Sequence, residues 1–328
     1  MMHTLPLPNG RCLHGDESAD ALHLQLDLHE PIHVRLTTGE PLQVTASEVL
    51  SAQALWLVSY WLFARDQGCQ TLNWALPAAP VDALHSGLLL QAADETLRTE
   101  RTLFWQLPEP WLLAGQGAAY PQQLIISDGK RHPRRPAKPV GELYRRFDAR
   151  LGQWISLRAL DIDSDLERFS RWQNSPRVLE FWQEGGTLEQ HRQYLEKLER
   201  DPHTLTLIGC FDEQPFAYFE AYWAKEDRIA PFYAADHYDR GIHMLVGEDS
   251  HRGPHKVASW LTALTHFLFL DDPRTQRVVA EPRADNARMI GHMHSAGFHC
   301  QKEFDFPHKR AALMMIERER FFERCVLR

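Results

Sequence analysis

The sequence predicts an α/β (α+β) protein of two domains joined by a linker. Three observations support this prediction: the chain length, the mixture of two apolar periodicities, and a basic, proline-rich segment near the middle. The 328 residues suffice for two domains of ordinary size, each with its own core. Both halves contain segments of alternating apolar residues and segments with helical apolar spacing. We therefore place a smaller N-terminal α/β domain at residues 1–130, a linker at 131–150 and a larger domain at 151–328.

The composition excludes several functional classes. The chain is 44% hydrophobic and 24% charged, and its formal net charge of −8 argues against general binding to nucleic acid or anionic membranes. Its five cysteines are scattered without a C-x-x-C pair, and its 18 histidines form no H-E-x-x-H motif, so we expect neither disulfides nor a metal. Neither a signal sequence nor an apolar run of about 18 residues is present. We expect a cytoplasmic protein without membrane insertion.

The N-terminal domain is predicted to contain a hairpin, a long helix and further short elements. Residues 1–20 carry several Pro and Gly residues and are predicted to form an irregular arm. The hairpin prediction rests on two alternating apolar runs: Leu22, Leu24, Leu26, Leu28, Ile32, Val34 and Leu36. Ser47 is predicted to cap a helix that ends at Gly68. A strand at 71–76, a helix at 81–91 and extended segments at 97–101 and 103–107 complete the domain.

The linker prediction rests on composition. The segment from Asp128 to Pro139 contains three prolines, one glycine and five Lys or Arg residues, without apolar periodicity. This composition favours a solvated, semi-extended connector. A binding segment for an acidic partner is the alternative.

The C-terminal domain is predicted to be a mixed sheet with helices. A strand at 154–158, a helix near Asp163, a helix capped by Thr187, and strands at 205–211 and 216–223 come first. The most informative stretch follows, with a strand at 241–246, a turn at 247–253, a helix at 254–270, a strand at 277–281 and a helix that begins at Asn286.

The turn in this stretch predicts an anion site. Arg252-Gly253-Pro254 ends the turn where the helix begins, and proline suits the first helical position because its missing N–H would have no partner there. Free backbone N–H groups, the helix dipole and the Arg252 guanidinium then meet at one point. We interpret this as a site for the pyrophosphate of coenzyme A.

The order of these elements resembles the acyl-CoA-binding half of the GNAT N-acyltransferases, from about Trp154 to the C-terminus. Three local sequences are similar to the siderophore acyltransferases typified by the N6-hydroxylysine O-acetyltransferase of aerobactin synthesis: Gly-Ile-His-Met-Leu-Val-Gly at 241–247, Ala-Glu-Pro-Arg-Ala-Asp-Asn at 280–286 and Phe-Asp-Phe-Pro-His-Lys-Arg-Ala at 304–311. The resemblance implies a GNAT fold, acetyl-CoA or another acyl-CoA as cosubstrate, and acylation of a small hydroxylamine to a hydroxamate. Other siderophore-pathway enzymes are candidate partners.

The N-terminal half repeats part of this element order. A helix, a short strand, a second helix and extended segments follow one another as in the C-terminal half, but without the Arg-Gly turn or the Asn-initiated helix. This suggests a degenerate GNAT-like half that lacks a donor site. An unrelated small α/β domain remains the alternative.

The resemblance also implies where the donor binds. In a GNAT sheet two strands separate, and the acyl-CoA lies in the gap, which we expect near Met244 to Gly247. The donor-binding residues implied in this way are Leu245, Val246, Gly247, Arg252, Gly253, His255, Lys256, Val257 and Asn286. His255 and Val257 stand where the family usually has small residues, and Asn286 is equally explained as a helix cap.

His243 is the candidate general base. A hydroxylamine nitrogen is far less basic than an alkyl amine, so its base need only collect a proton as the new bond forms, and an imidazole with a pKa near about 6.5 suits that task. The family pairs a histidine with an aspartate, which implies that Asp285 orients the ring or holds the substrate ammonium. Glu281 is a rival for that role, and a purely structural His243 is the alternative.

The acceptor substrate is expected to contact Glu220, Tyr222, Glu281, His308 and Arg310. Arg310 or its neighbour Lys309 would receive the carboxylate of a hydroxy-amino acid. A solvated run of charges at 308–310 and a core role for the aromatic strand residues are the alternatives.

Two other functions remain open from the sequence. A GNAT enzyme that acts on an ordinary amine, of a small molecule or a protein, would use a glutamate and water as its base. A non-catalytic protein that binds CoA would explain the bulky residues at 255 and 257.

Overall fold

A computed structural model describes residues 2–27, 30–114, 120–324 and 327 of the chain. The chain divides into two compact units, one formed by Met1–Pro110 with Val326–Arg328 and the other by Trp111–Cys325. Leu28 of the predicted hairpin and Cys325 lie outside the described residues. None of the described helices is long and apolar enough to cross a bilayer.

The first unit is built on one eight-stranded sheet. Its strands are β1 (Met2–Pro6), β2 (Cys12–Glu17), β3 (Ala21–Leu26), β4 (Ile32–Thr37), β5 (Leu42–Thr45), β6 (Thr71–Ala75), β7 (Leu90–Gln91) and β8 (Leu97–Glu100). Its helices are α1 (Ala52–Arg65), α2 (Val81–Ser86) and α3 (Arg101–Phe104). The strand order is β1-β2-β3-β4-β5-β6-β8-β7, with β5 and β6 parallel.

The alternating runs of the N-terminal half form the predicted hairpin. β3 and β4 pair antiparallel, and their alternate apolar side chains are buried. The prediction of an irregular arm over residues 1–20 was wrong, because β1 and β2 pair from Met2 with Asp16 to Pro6 with Cys12. Of the residues that suggested irregular structure, Pro6 ends β1, Pro8 and Gly10 lie in the turn, and Gly15 lies within β2, where it pairs with His3.

The second unit contains a two-stranded and an eight-stranded sheet. Its strands are β9 (Leu124–Ser127), β10 (Lys130–Pro133), β11 (Glu142–Asp148), β12 (Gln153–Ala159), β13 (Thr204–Phe211), β14 (Gln214–Trp223), β15 (Arg240–Val246), β16 (Arg277–Ala280), β17 (His299–Asp305) and β18 (Arg310–Glu317). Its helices are α4 (Ile162–Gln173), α5 (Pro176–Trp182), α6 (Leu188–Arg200), α7 (Pro254–Asp271), α8 (Ala287–Ser295) and α9 (Arg318–Arg324). The larger sheet has the order β11-β12-β13-β14-β15-β16-β18-β17.

The segment predicted as a linker differs from the structure. It contains most of β10 and all of β11, and β11 is an edge strand of the larger sheet. This strand escaped prediction because two of its buried positions are charged: Arg146 and Asp148 are 1% and 0% exposed and form an ion pair of 3.4 Å. Consequently the sheet has eight strands where a seven-stranded type was predicted.

The larger sheet opens between β15 and β16. These strands are parallel and pair at two positions, Arg240 with Val278 and Gly241 with Val279, although β15 continues to Val246. The opening therefore begins after Gly241, earlier in β15 than the predicted position after Met244. α7 connects the two strands along the chain, is buried along most of its length, and packs against β11 and β12 of the same sheet.

The two large sheets share one topology. In each sheet the first five strands are antiparallel, and the sixth is parallel to the fifth and joined to it by a long helix. The last strand in the sequence then lies between the sixth and the seventh. This agrees with the prediction of a degenerate N-terminal half. The first unit differs in its parallel pair, which does not open. β5 and β6 stay paired from Leu42 with Leu72 to Thr45 with Ala75. The Ala46 N–H extends this ladder by donating to the Ala75 carbonyl at 3.0 Å. No opening exists among these described strands.

Helix α1 provides a test of its capping residue. Ser51, rather than the predicted Ser47, is the N-cap, and its Oγ accepts a hydrogen bond from the Ala54 N–H at 3.2 Å. We expect Ser51→Ala to lower the free energy of unfolding by about 1 kcal/mol, the usual value of such a cap. Ser47→Ala is the matched control and should have little effect. Urea denaturation of both variants measures the difference, and equal losses would show that the cap is misassigned.

Candidate active site

His243 lies in the middle of β15, with a buried glutamate on each side of its ring. Glu220 is its cross-strand neighbour in β14, and Glu220 Oε2 lies 2.7 Å from His243 Nδ1. Glu281 follows the end of β16, and its Oε1 lies 2.7 Å from His243 Nε2. The two glutamates are 5% and 2% exposed. We call these three residues the glutamate–histidine cluster.

The two carboxylates determine the charge of His243. Burial by itself would lower the pKa of His243, but the charges and hydrogen bonds of Glu281 and Glu220 outweigh it and raise this pKa to about 10. Burial would also raise the pKa of each glutamate, yet the imidazolium holds both values below their usual range. At neutral pH the cluster is an imidazolium between two carboxylates. The raised pKa differs from the ordinary imidazole pKa that was predicted for His243 from the sequence.

Three tyrosines complete the hydrogen bonding of the glutamates. Tyr194 of α6 and Tyr218 of β14 donate to Glu220 Oε1 at 2.5 and 2.8 Å. Tyr222 of β14 donates to Glu281 Oε2 at 2.6 Å. Burial and the neighbouring carboxylates raise the pKa of all three phenols, which keeps them protonated. Each buried carboxylate therefore has a partner on both oxygens.

Gly241 makes room for one of these tyrosines. It faces Tyr222 across the β14–β15 pair, and a Cβ added at position 241 would lie 2.0 Å from the Tyr222 ring. Any side chain there would displace the ring and with it the hydrogen bond to Glu281. The glycine of the Gly-Ile-His sequence thus supports the cluster.

The opening between β15 and β16 continues into a cleft of about 670 Å³. Its walls come from β15, α5 and the N-terminal ends of α7 and α8, and they include Arg177, Trp182, Met244, Val246, Arg252, Val257, Asn286 and Arg288. The centroids of the Trp182 and His243 rings are 6.3 Å apart. The glutamate–histidine cluster therefore lies next to a wall of the cleft, although its own three residues are not among those that line the cleft.

The backbone of β15 presents alternate residues to this cleft. Side chains of α5 donate to the carbonyls of Met244 and Val246, at 3.3 and 2.8 Å. The Gly247 N–H instead donates to β14 at 2.8 Å. Strand alternation therefore turns the carbonyls of Met244 and Val246 toward the cleft. At the end of the strand the two groups of Gly247 divide, because its N–H bonds to β14 while its carbonyl accepts from Arg177 at 3.3 Å.

The other end of the cleft is the N-terminus of α7. Gly253 is the N-cap and has a φ of 121°, which only glycine adopts readily, and Pro254 is the first helical residue. A glycine cap has no side chain to occupy the free N–H groups, so they are available to an anion. The arginines Arg177, Arg252 and Arg288 add positive charge to the walls.

Comparison with known proteins identifies the fold. Residues 161–306 match the family model described as an acetyltransferase (GNAT) domain. The N(6)-hydroxylysine O-acetyltransferase of Escherichia coli is 48% identical, over 68% of this chain and 70% of that protein. A hydroxyornithine transacylase of Ajellomyces capsulatus is 36% identical, over 82% of this chain and 71% of that protein. The chain belongs to the GNAT acyltransferase family.

An uncharacterized Bacillus halodurans protein has a similar crystal structure, with 30% identity, a TM-score of 0.53, and coverage of 56% of this chain and 93% of that one.

Membership of the GNAT family confirms the predicted fold of the C-terminal domain and the predicted acyltransferase class. The resemblance to the siderophore acyltransferases is likewise confirmed by the identity to the hydroxylysine and hydroxyornithine enzymes.

The predicted donor-binding residues of this GNAT domain divide into two groups. The first group lines the cleft: Leu245, Val246, Arg252, Gly253, Val257 and Asn286. Asn286 also caps α8, since its Oδ1 accepts from the Met289 N–H at 3.2 Å, so both of its predicted roles are compatible. The second group has other contacts. Gly247 bonds to β14, the His255 ring lies against Gly253, and Lys256 donates to Gln153.

The structure does not bring Asp285 to the histidine. Both of its carboxylate oxygens accept from Arg283, at 2.5 and 3.0 Å, and the pair is largely exposed. Asp285 lies in the turn beyond β16, whereas Glu281 directly follows the strand and so stays beside the sheet. Glu281 therefore occupies the position that was assigned to Asp285.

The predicted acceptor-site residues are partly assembled. Glu220, Tyr222 and Glu281 belong to or contact the glutamate–histidine cluster. The His308 ring stacks on Phe306, with centroids 5.5 Å apart. Arg310 does not join them, because its exposed guanidinium pairs with Glu303 at 2.9 Å and with Asp305 at 3.4 Å across the β17–β18 hairpin. This corrects its assignment to the acceptor site.

Sequence reasoning missed Tyr194 and Arg228 as site residues. Tyr194 stands beside Leu195 on the apolar side of the otherwise charged helix α6, which could have suggested an inward position. Arg228 lies in the loop between β14 and β15, and its Nη2 is 3.6 Å from Glu281 Oε1. Nothing in the local sequence marks this arginine.

The protonation of His243 can be observed directly. We expect 15N NMR to show both ring nitrogens of His243 protonated from about pH 6 to about pH 9, because the raised pKa keeps the imidazolium intact until the pH approaches 10. His292 is an internal contrast, since burial and Arg288 lower its pKa below 6.5. Glu281→Gln should shift the titration of His243 to lower pH. A neutral His243 at pH 7.5 in the unmodified protein would contradict the assignment.

Proposed function

We propose that this acyltransferase uses acetyl-CoA, or another acyl-CoA, to acylate the nitrogen of an N-hydroxylated amine such as N6-hydroxylysine. The product is a hydroxamate for siderophore synthesis, made in the cytoplasm alongside other enzymes of that pathway. The names of the hydroxylysine and hydroxyornithine relatives support this choice. The cleft, with an open helix end and three arginines, supports the donor.

The proposal of a hydroxylamine acceptor rests on one observation. The side chains that could accept a proton, His243 and the two glutamates, are hydrogen-bonded to one another in the glutamate–histidine cluster. His243 already holds its proton, and Glu281 is a weak base because the imidazolium holds its pKa far below the usual range. An alkyl ammonium ion would need a stronger base to deprotonate it before attack. A hydroxylamine is already neutral near pH 7, so this weakly basic site favours it.

The same cluster supplies the route for the proton. The hydroxylamine nitrogen attacks the thioester carbon, becomes positively charged, and thereby makes its own proton strongly acidic. Glu281, fixed by His243 and Tyr222, accepts that proton. The C–S bond then breaks, and the proton passes to the departing thiolate to give free coenzyme A. His243 acts here as a positioning residue that keeps Glu281 ionised and oriented.

The role of Glu281 predicts a large kinetic effect. Glu281→Gln should lower kcat with N6-hydroxylysine by about 10²- to 10⁴-fold, the usual contribution of a positioned acid or base. The KM for acetyl-CoA should change little, because Glu281 is not among the residues that line the cleft. Asp285→Asn is the matched control and should stay within a few-fold of the unmodified enzyme. Equal losses in the two variants would argue against the assignment of Glu281.

The acceptor class is tested by thiol release from acetyl-CoA. We expect kcat/KM for N6-hydroxylysine to exceed that for lysine by roughly 100-fold or more near pH 7, since lysine is protonated there. The product should give the coloured ferric complex of a hydroxamate, which an O-acyl hydroxylamine does not form. Preference for lysine would indicate a GNAT enzyme of ordinary amines. Binding of acetyl-CoA without turnover of either amine would indicate a non-catalytic protein.

The donor site predicts a salt-sensitive loss of affinity. Arg252 lines the cleft beside the helix end, and its one described ion pair is an exposed contact to Asp249 at 3.2 Å. Arg252→Ala should raise the KM for acetyl-CoA roughly 3- to 10-fold, with the larger effect at low ionic strength. Arg200→Ala, which removes an exposed arginine paired to Glu196, is the control. An unchanged KM at low salt would exclude a phosphate contact from Arg252.

A further inference from the structure

Three basic side chains surround one phenyl ring beside the glutamate–histidine cluster. The Arg228 guanidinium carbon lies 5.4 Å from the centre of Phe306, and Lys309 Nζ lies 5.7 Å from it. The His308 ring stacks on the same phenyl group at 5.5 Å. Phe306 is 7% exposed. Two separate segments, the β14–β15 loop and the β17–β18 turn, therefore bring their basic residues to one place, which we call the Phe306 basic site.

The Phe306 basic site lies next to Glu281, the proposed proton acceptor of the cluster. Arg228 Nη2 is 3.6 Å from Glu281 Oε1, the oxygen that also accepts from His243 Nε2 at 2.7 Å. Lys309 Nζ donates to the backbone carbonyl of Glu281 at 2.7 Å. A small acceptor substrate with its nitrogen near Glu281 would place its other end within reach of these cations.

Arg228 is the member of the site that is best placed to bind a ligand. Lys309 already donates to the backbone carbonyl of Glu281, and burial lowers the pKa of its ammonium group. Burial, Arg228 and Lys309 lower the pKa of His308, so its ring is neutral near pH 7. The Arg228 side chain is 50% exposed, and its contact with Glu281 is longer than a hydrogen bond. Its forked N–H donors can therefore meet a carboxylate.

The local charges favour an anion at this place. Arg228, Lys309 and the His243 imidazolium carry three positive charges, and Glu220 and Glu281 carry two negative charges. The acidic neighbour Asp227 is engaged elsewhere, because its carboxylate accepts from the Ile229 N–H at 2.9 Å and lies 3.4 Å from His203. One added carboxylate would balance the remaining positive charge.

We propose that Arg228, supported by Lys309 on Phe306, binds the carboxylate of the acceptor substrate. The acceptor is then an N-hydroxy amino acid and not an N-hydroxy diamine. This inference rests on the proposed function and deepens it, since it names the group at the far end of the substrate. It also replaces Arg310, whose guanidinium is held by Glu303 and Asp305.

The test uses four acceptor substrates, which separate the preference for a hydroxylamine from the binding of a carboxylate by Arg228. N6-hydroxylysine and lysine carry the carboxylate, while N-hydroxycadaverine and cadaverine lack it. The unmodified enzyme should prefer N6-hydroxylysine to N-hydroxycadaverine by about 10-fold or more in kcat/KM. Arg228→Gln should raise KM for N6-hydroxylysine at least about 10-fold more than KM for N-hydroxycadaverine. Arg310→Gln, the matched control, should show no such difference.

Each outcome decides a separate point. If Arg228→Gln affects acceptors with and without the carboxylate equally, or if the unmodified enzyme does not discriminate between them, the carboxylate site is wrong even though the hydroxylamine preference holds. If lysine is used in place of N6-hydroxylysine, the proposed function fails, and the lysine–cadaverine pair still reports on Arg228. Arg228→Lys, which keeps the charge but loses the fork, should recover part of the discrimination. An unchanged KM for acetyl-CoA shows that each variant is folded.

Discussion

A half-buried imidazolium between two buried carboxylates is the interaction on which the rest of the catalytic domain depends. Charges of this kind are tolerated in a protein interior only when they are paired and fully hydrogen-bonded. The three tyrosines on the two glutamates and the glycine that admits Tyr222 meet this requirement. The sheet opens after Gly241, and the cluster lies next to Trp182, which lines the cleft at this opening. The same pairing lowers the pKa of Glu281 and so makes the site weakly basic. The contacts that stabilise the buried charges therefore also favour a nitrogen that is already neutral, such as that of a hydroxylamine.

The two units show how little separates a sheet with an open cleft from a sheet without one. Their strand orders and the position of their parallel pairs are the same. In the first unit the parallel strands remain paired to Thr45 and Ala75, and the following helix is capped by its own Ser51. In the second unit the pairing stops at Gly241, and the helix begins with a glycine, Gly253, which has no side chain to cap the first N–H groups. The two units therefore differ in the length of the parallel ladder and in the residue, serine or glycine, that caps the following helix.

Much of this site could be predicted from the sequence because its frame is local. The strand with His243, the Arg-Gly turn and the Asn286 cap follow from patterns within a few residues. The choice between Glu281 and Asp285 could not be made, since both follow β16 within five residues and only the structure shows that the strand ends directly before Glu281. Contacts of Arg228 could not be predicted either, because distant segments bring its partners together. Strand β11 was missed because its buried ion pair hides the apolar alternation.

The central claim is that His243 is a protonated positioning residue and not the base. The most direct measurement is kcat/KM for N6-hydroxylysine as a function of pH, compared with the ionisation of the free hydroxylamine measured separately. The account predicts that, between about pH 6 and about pH 9, the rate follows the substrate alone, because His243 keeps its proton throughout that range. An additional ionisation near about pH 6.5 that belongs to the enzyme and disappears in His243→Gln would contradict it.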